Sequence, residues 1–329
     1  MQSFLDNPVF LCGHRKGGTT ALLCLFDNHP ELLTYPADSG FFYKVFPDCE
    51  TVDMETTVEQ LIEGPIRENL SSEMEVVGRS NLFDVGAISE RYRTLAYEGD
   101  GSPSAHLLAM IRAYGELCGQ KPDLWKAWVE KTTSTEIYAS EVVQWFPAAK
   151  FIHLLRDPRD NYGSLKSGWS KRYRFQESDP RSLLQSLLDR GGLGMQMASL
   201  NSKALGPDTY MVIRYEDLTE DPQPNLQSMA DFIGVQYDES LETPSVNGVP
   251  WPGNNFDGNK YNGLSTANVG RWEERTEPWE IAVIEGHLGD VMEHHGYTLT
   301  TSSRERALAV SSFYKWFNSL PKGSRGEGS

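Results

Sequence analysis

Short unbroken apolar runs recur along this chain, each ending in glycine or charge and followed by an apolar stripe at helical spacing. Pro8–Gly13, Val76–Gly78, Phe151–Leu155 and Tyr210–Arg214 read as strands, with Lys126–Lys131 as a further one. Runs this short, with no polar alternation, suit strands buried on both faces. Helical spacing marks Val58–Leu70, Ala105–Cys118 and, near the end, Arg304–Leu320 with Phe313, Trp316 and Phe317. Strand alternating with helix, without an internal repeat, predicts an α/β fold: a doubly wound parallel sheet flanked by helices. Residues 1–300 are expected to form one domain, with 47–124 a helical insertion. Residues 301–329 are expected to form a helix and a disordered Gly/Ser tail. The run Thr243–Asn268, rich in Pro, Gly and Asn and carrying Trp251, Phe256 and Tyr261, is long for a loop and suggests a lid.

Two strand ends carry the candidate chemistry. After Val9-Phe10-Leu11-Cys12 comes Gly13-His14-Arg15-Lys16-Gly17-Gly18-Thr19-Thr20, then an apolar helix. Strand, glycine-rich loop and helix start gather backbone N–H groups and a positive helix end around a space suited to phosphate or sulfate. Gly13 and Gly18 have the Walker A separation, but Thr19 stands where that pattern needs lysine, and the lysine is Lys16, inside the loop. A lysine there lies against the group nearest the backbone cradle rather than against β- and γ-phosphates. The second stretch leads from the strand Phe151–Leu155 into Arg156-Asp157-Pro158-Arg159-Asp160, with Ser164 eight residues after Arg156. An arginine fork at a strand end, with a hydroxyl on the next helix, suits a phosphate dianion.

Together these stretches resemble the sulfotransferases that use 3′-phosphoadenosine 5′-phosphosulfate (PAPS). The first loop is most similar to the heparan-type glycan enzymes. The resemblance runs from about Asn7 to Tyr297 and is thinnest over 47–124. It implies a 5′-phosphosulfate loop of Arg15, Lys16, Gly17, Gly18, Thr19 and Thr20, and a 3′-phosphate site at Arg156 and Ser164. Three further segments follow in family order. Glu130-Lys131-Thr132 matches a Glu-Lys-Thr-Pro motif, with Thr133 in place of proline, and implies that Lys131 faces the sulfuryl group. The segment around Arg214-Tyr215-Glu216 implies that Tyr215 neighbours adenine. Gly270-Arg271-Trp272 resembles the late loop that closes over the nucleotide's 3′ end. In the heparan-type enzymes a glutamate base lies three residues before a Phe-Phe pair. Here Asp38-Ser39-Gly40-Phe41-Phe42 puts aspartate on that position, a departure that shortens the base by one methylene. His14, His106 and His153 are the rival bases, with His153 read as a core residue of its strand.

The implied chemistry is in-line transfer of a sulfuryl group from PAPS to a hydroxyl of a small-molecule or saccharide acceptor, releasing PAP. Lys16 covers the charge on the leaving oxygen, Asp38 takes the acceptor's proton, and no metal is expected. The helices of 47–124 would then shape the acceptor side. A net charge of −16 disfavours polyanionic acceptors and nucleic acid. The local exception is a basic island of Lys166, Lys171, Arg172 and Arg174, expected to add positive potential near the nucleotide. Cys12, Cys24, Cys49 and Cys118 show no metal spacing and are expected as buried thiols. No stretch has the length of a membrane span, so a cytoplasmic enzyme without membrane partners is expected. The last helix is left to dock on the core or to make a homodimer contact. Two rival readings stay open: a Mg²⁺-dependent P-loop kinase of a nucleoside or sugar, and a non-catalytic PAP-binding protein.

Overall fold

The computed structural model describes residues 4–172, 180–253 and 263–319. The chain forms two compact units, Met1–Leu155 with Met197–Thr266 and Arg156–Gln196 with Ala267–Ser329.

The first unit is built on a five-stranded parallel sheet: β1 Pro8–Cys12, β2 Leu32–Asp38, β3 Ala127–Lys131, β4 Lys150–Leu155 and β5 Tyr210–Arg214. Their order is β2-β3-β1-β4-β5. β1 is buried at every position, which is why its apolar run is unbroken; β3 is as deeply buried, its apolar Ala127–Val129 giving way to Glu130 and Lys131. Register sets Phe10 opposite Phe151 and Phe151 opposite Tyr210, and the rings stack at 5.5 Å across the three strands. Trp128 of β3 meets Phe10 edge-on at the same separation, extending the aromatic row to a fourth strand.

β2 is a strand that the periodicity did not announce. Thr34, Tyr35 and Pro36 interrupt its apolar run, and Pro36 has no N–H to give. Pairing with β3 accordingly breaks register between Thr34 and Asp38. The strand is still buried from Leu32 to Ala37, because helices Asn69–Val77 and Pro103–Leu117 pack on it. The strand expected at Val76–Gly78 is not one. Val76 and Val77 end the helix Asn69–Val77, and Gly78, at φ 67°, is its left-handed cap.

Helix α1, Thr19–Phe26, follows the loop after β1. Between β2 and β3, the expected helix over Val58–Leu70 is a helix at Met54–Leu61 and a π-helical turn at Ile62–Glu68 that runs on into Asn69–Val77. Helices α2, Val85–Glu98, and α3, Pro103–Leu117, pack on each other, each capped by a side chain: Asp84 accepts from Ala87 N and Ser102 from Ala105 N. Within the expected lid, Ser245–Val246 and Val249–Pro250 pair as a hairpin. Asp27 Oδ2 ties it down, accepting from Ser245 Oγ at 2.5 Å and Gly248 N at 2.9 Å. Phe256 and Tyr261 lie outside the described residues.

The second unit contains α4, Pro158–Arg172, α5, Pro278–His294, and α6, Ser303–Ser319. α5 and α6 pack closely, with Phe313 buried. The Gly/Ser tail lies outside the described residues. Among the described residues no helix is long and apolar enough to cross a membrane.

Candidate active site

Gly13 leaves β1 at φ 135° and Gly18 opens α1 at φ 102°. Both positions also lack room for a side chain. A Cβ on Gly13 would lie 2.5 Å from the Leu154 carbonyl oxygen, and one on Gly18 2.6 Å from the Tyr215 ring. Between them, Gly17 N–H donates to the His14 carbonyl at 2.9 Å, closing a turn that holds Lys16 at φ 62°. That left-handed conformation costs a non-glycine residue about 1–2 kcal/mol. The loop thus keeps its lysine where glycine would be less strained. α1 starts at Thr19 with no acid in its first turn, so its N-terminal N–H groups and dipole suit an anion.

β2 and β3 deliver Asp38 and Lys131 as paired strand-end residues. Lys131, buried, sets its Nζ 2.5 Å from Asp38 Oδ2 and 3.5 Å from Thr20 Oγ1, at the head of α1. Asp38 Oδ1 accepts from Gly40 N at 3.0 Å and the Tyr43 hydroxyl at 3.2 Å. Oδ2 also accepts from the Thr133 hydroxyl at 3.3 Å. Aspartate at 38 and threonine at 133 are the two departures from the family pattern, and here they touch. A proline at 133 could not make that bond.

Two buried carboxyls stand behind this pair. Glu130 Oε1 accepts from the hydroxyls of Ser39 and Thr132, the latter at 2.5 Å. Ser39 Oγ in turn accepts from Phe41 N at 3.1 Å, so the neighbours of Asp38 and Lys131 are fastened to one another. Burial pushes Glu130 up to about 7, against the pull of the two hydroxyls. Glu136, after β3, accepts from Gly13 N at 3.3 Å and so braces the first glycine of the loop. Burial pushes its carboxyl up to about 7 as well. Sequence reasoning missed Ser39, Tyr43 and Glu136. Ser39 and Tyr43 stand within five residues of Asp38, but only the turn into the helix Phe41–Lys44 aims the Tyr43 hydroxyl back at it. Glu136 reaches Gly13 from the turn after β3, 123 positions away.

In the second unit Arg156, a candidate 3′-phosphate residue, meets the late loop. Arg156 Nη2 donates to Asn268 O at 2.6 Å. Asp160 Oδ2 and Oδ1 accept from Gly270 N and Trp272 N at 2.7 and 2.8 Å. Arg159 is buried, with Nη2 on Asp157 at 2.6 Å, Nη1 on Glu285 at 2.7 Å, and its guanidinium 4.3 Å from the centre of the Trp272 ring. Ser164 is half-buried on α4, and Arg271 is half-buried in the loop. The basic island is partly accounted for by packing: Lys166 pairs with Glu280 at 2.8 Å. Arg174 lies outside the described residues.

The rival histidines divide. His153 is a core residue, its Nδ1 2.7 Å from the Tyr210 hydroxyl. His106 is buried between α2 and α3, with Nδ1 2.9 Å from the Tyr92 hydroxyl. His14 is half-buried in the loop. All four cysteines are free and buried. Among the described residues no group of three or more His, Cys, Asp or Glu side chains could hold a metal ion.

The sequence profile of the sulfotransferase family matches residues 8–239. The fold is similar to the sulfotransferase domain from the curacin biosynthetic pathway, with a TM-score of 0.58 and 16% identity over 89% of this chain and 99% of that one. It is also similar to the sulfotransferase domain of the Synechococcus PCC 7002 olefin synthase, with a TM-score of 0.52 and 19% identity over 89% of this chain and 96% of that one. The profile spans β1 to β5 and both candidate phosphate motifs, and the chain belongs to the sulfotransferase family.

Proposed function

We propose that this chain moves the sulfuryl group of PAPS to a hydroxyl of a small-molecule or saccharide acceptor, releasing PAP. One observation carries the reading: the buried Lys131 ammonium reaches both Thr20, at the head of the anion loop, and the Asp38 carboxylate. A loop that suits an oxyanion and a group able to take a proton share one cation. The loop residues fit a 5′-phosphosulfate, offering a glycine cradle closed to side chains, Lys16, two threonine hydroxyls and a helix start free of acids.

Bound PAPS supplies an activated sulfuryl group whose bond to the 5′-phosphate oxygen breaks as the acceptor oxygen attacks sulfur. Lys16, Thr19, Thr20 and the N–H groups of Gly18 to Thr20 hold the 5′-phosphate, the Gly17 N–H being spent on the turn, and Lys16 neutralises the departing oxygen. Lys131 faces the transferring group while orienting Asp38, which takes the acceptor's proton. Arg156 and Ser164 hold the 3′-phosphate under the Gly270-Arg271-Trp272 loop, and Tyr215 stands beside adenine.

Calorimetric titration with PAP, and separately with ADP and Mg²⁺, tests this. Metal-independent PAP binding, weakened about a hundredfold in Arg156→Ala, is expected. Preference for Mg·ADP would turn the reading to the kinase. PAP binding with no transfer to any hydroxyl would turn it to a non-catalytic binder.

A further inference from the structure

An ionised carboxylate offers about four acceptor positions. In Asp38 all four are taken: Gly40 N–H and the Tyr43 hydroxyl at Oδ1, the Lys131 ammonium and the Thr133 hydroxyl at Oδ2. A hydroxyl that is to lose its proton to Asp38 must first bond to it, and so must displace one of these donors. Gly40 N is fixed at the start of the one-turn helix Phe41–Lys44. Lys131 is buried, and Thr133 shares its oxygen and its short backbone segment. Tyr43 differs from them. Half of it is exposed, whereas Thr133 is more enclosed. The 3.2 Å bond from Tyr43 to Asp38 is longer than those from Gly40 and Lys131 and close to the 3.3 Å bond from Thr133. The tip of the Tyr43 ring leaves Gly40 room: a Cβ added there would be 3.4 Å from the ring and hydroxyl. Like Thr133, Tyr43 offers a hydroxyl, the same donor chemistry as the acceptor, and its exposure is what sets it apart.

We propose that the Tyr43 hydroxyl occupies the acceptor's place on Asp38 and leaves when a substrate hydroxyl arrives. The assignment rests on the sulfuryl-transfer reading. With Tyr43 in place, water must compete with its hydroxyl for Oδ1, and hydrolysis of the sulfuryl donor is slowed. With Tyr43 displaced, the acceptor O–H bonds to Oδ1 and its oxygen attacks sulfur. The bond from sulfur to the 5′-phosphate oxygen breaks with its electron pair on that oxygen, and the proton passes to Asp38.

Tyr43→Phe removes the hydroxyl alone. The full chain and this variant are compared in three ways: PAP affinity by calorimetry, release of PAP and sulfate from PAPS with water as the sole acceptor, and NMR of 13Cζ-labelled tyrosine. Expected are unchanged PAP affinity, and sulfate release faster by about threefold or more once Oδ1 is open to water. The tyrosine resonance that Tyr43→Phe deletes is also expected to shift in Asp38→Asn. Equal or slower sulfate release at preserved PAP affinity overturns the proposal, as does a Tyr43 resonance indifferent to Asp38→Asn. A wild-type chain that neither binds PAP nor consumes PAPS sinks the transfer reading instead, and calorimetry distinguishes that failure from the other two.

Discussion

Asp38 and Thr133 illustrate how far single residues could be read. Both were visible in the sequence as departures from a pattern, but their bond to one another was not, because 95 positions separate them and only the β2–β3 register joins them. Arg156, Lys16 and the loop glycines were legible, since their spacing along the chain is itself the motif. Glu136 was not, as a lone acid after a strand carries no such spacing. Its burial has a measurable consequence. The carboxyl moves from an ordinary 4.5 to about 7, so between those values the folded chain holds a proton that the unfolded chain has released. Stability from this group is therefore full below 4.5 and lost as pH climbs through 7. Glu130 adds a contribution of the same sign. Glu136→Gln keeps an acceptor for Gly13 N and removes the titration. Denaturant melts from pH 5 to 8 should show a flatter decline in the variant and higher stability than wild type at pH 8; parallel declines would mean that Glu136 is ionised throughout.

Among the elements, strands with unbroken apolar runs announced themselves, and β2 did not. A buried edge strand carrying Thr34 and Pro36 needs covering helices to keep it dry, and periodicity within the strand cannot report them. Val76–Gly78 misled in the opposite sense. Two valines before a glycine read as a strand end, although glycine after a helical stripe is equally the mark of a left-handed helix cap. The loop at 268–272 is held by Asp160 through two bonds from backbone N–H groups to an ionised side chain, a kind worth about 1.5–3 kcal/mol each. Asn at 160 can accept only one of them well. Asp160→Asn should raise amide exchange at Gly270 and Trp272 and weaken PAP binding by about tenfold. Unchanged protection at both amides would show the loop to be held by the Arg159–Trp272 stack instead.

For the molecule as a whole, charge is the governing quantity. With a net charge of −16, the chain repels polyanions at long range even if its phosphate motifs are locally cationic. A small neutral alcohol should therefore outperform a heparin-like polymer as acceptor at low ionic strength. The gap should narrow as salt shortens the Debye length from about 30 Å at 0.01 M to about 8 Å at 0.15 M. A polymer that wins at low salt would point to a local basic track strong enough to override the net charge. The sheet order has a consequence of another kind. The glycine-rich loop leaves β1, enclosed between β3 and β4, whereas Asp38 leaves β2 at the rim, next to the helices of 47–124. On the proposed reading, a lineage can lengthen, shorten or replace what surrounds the rim without touching β1, and so diverge in what it modifies while inheriting one way of holding the donor.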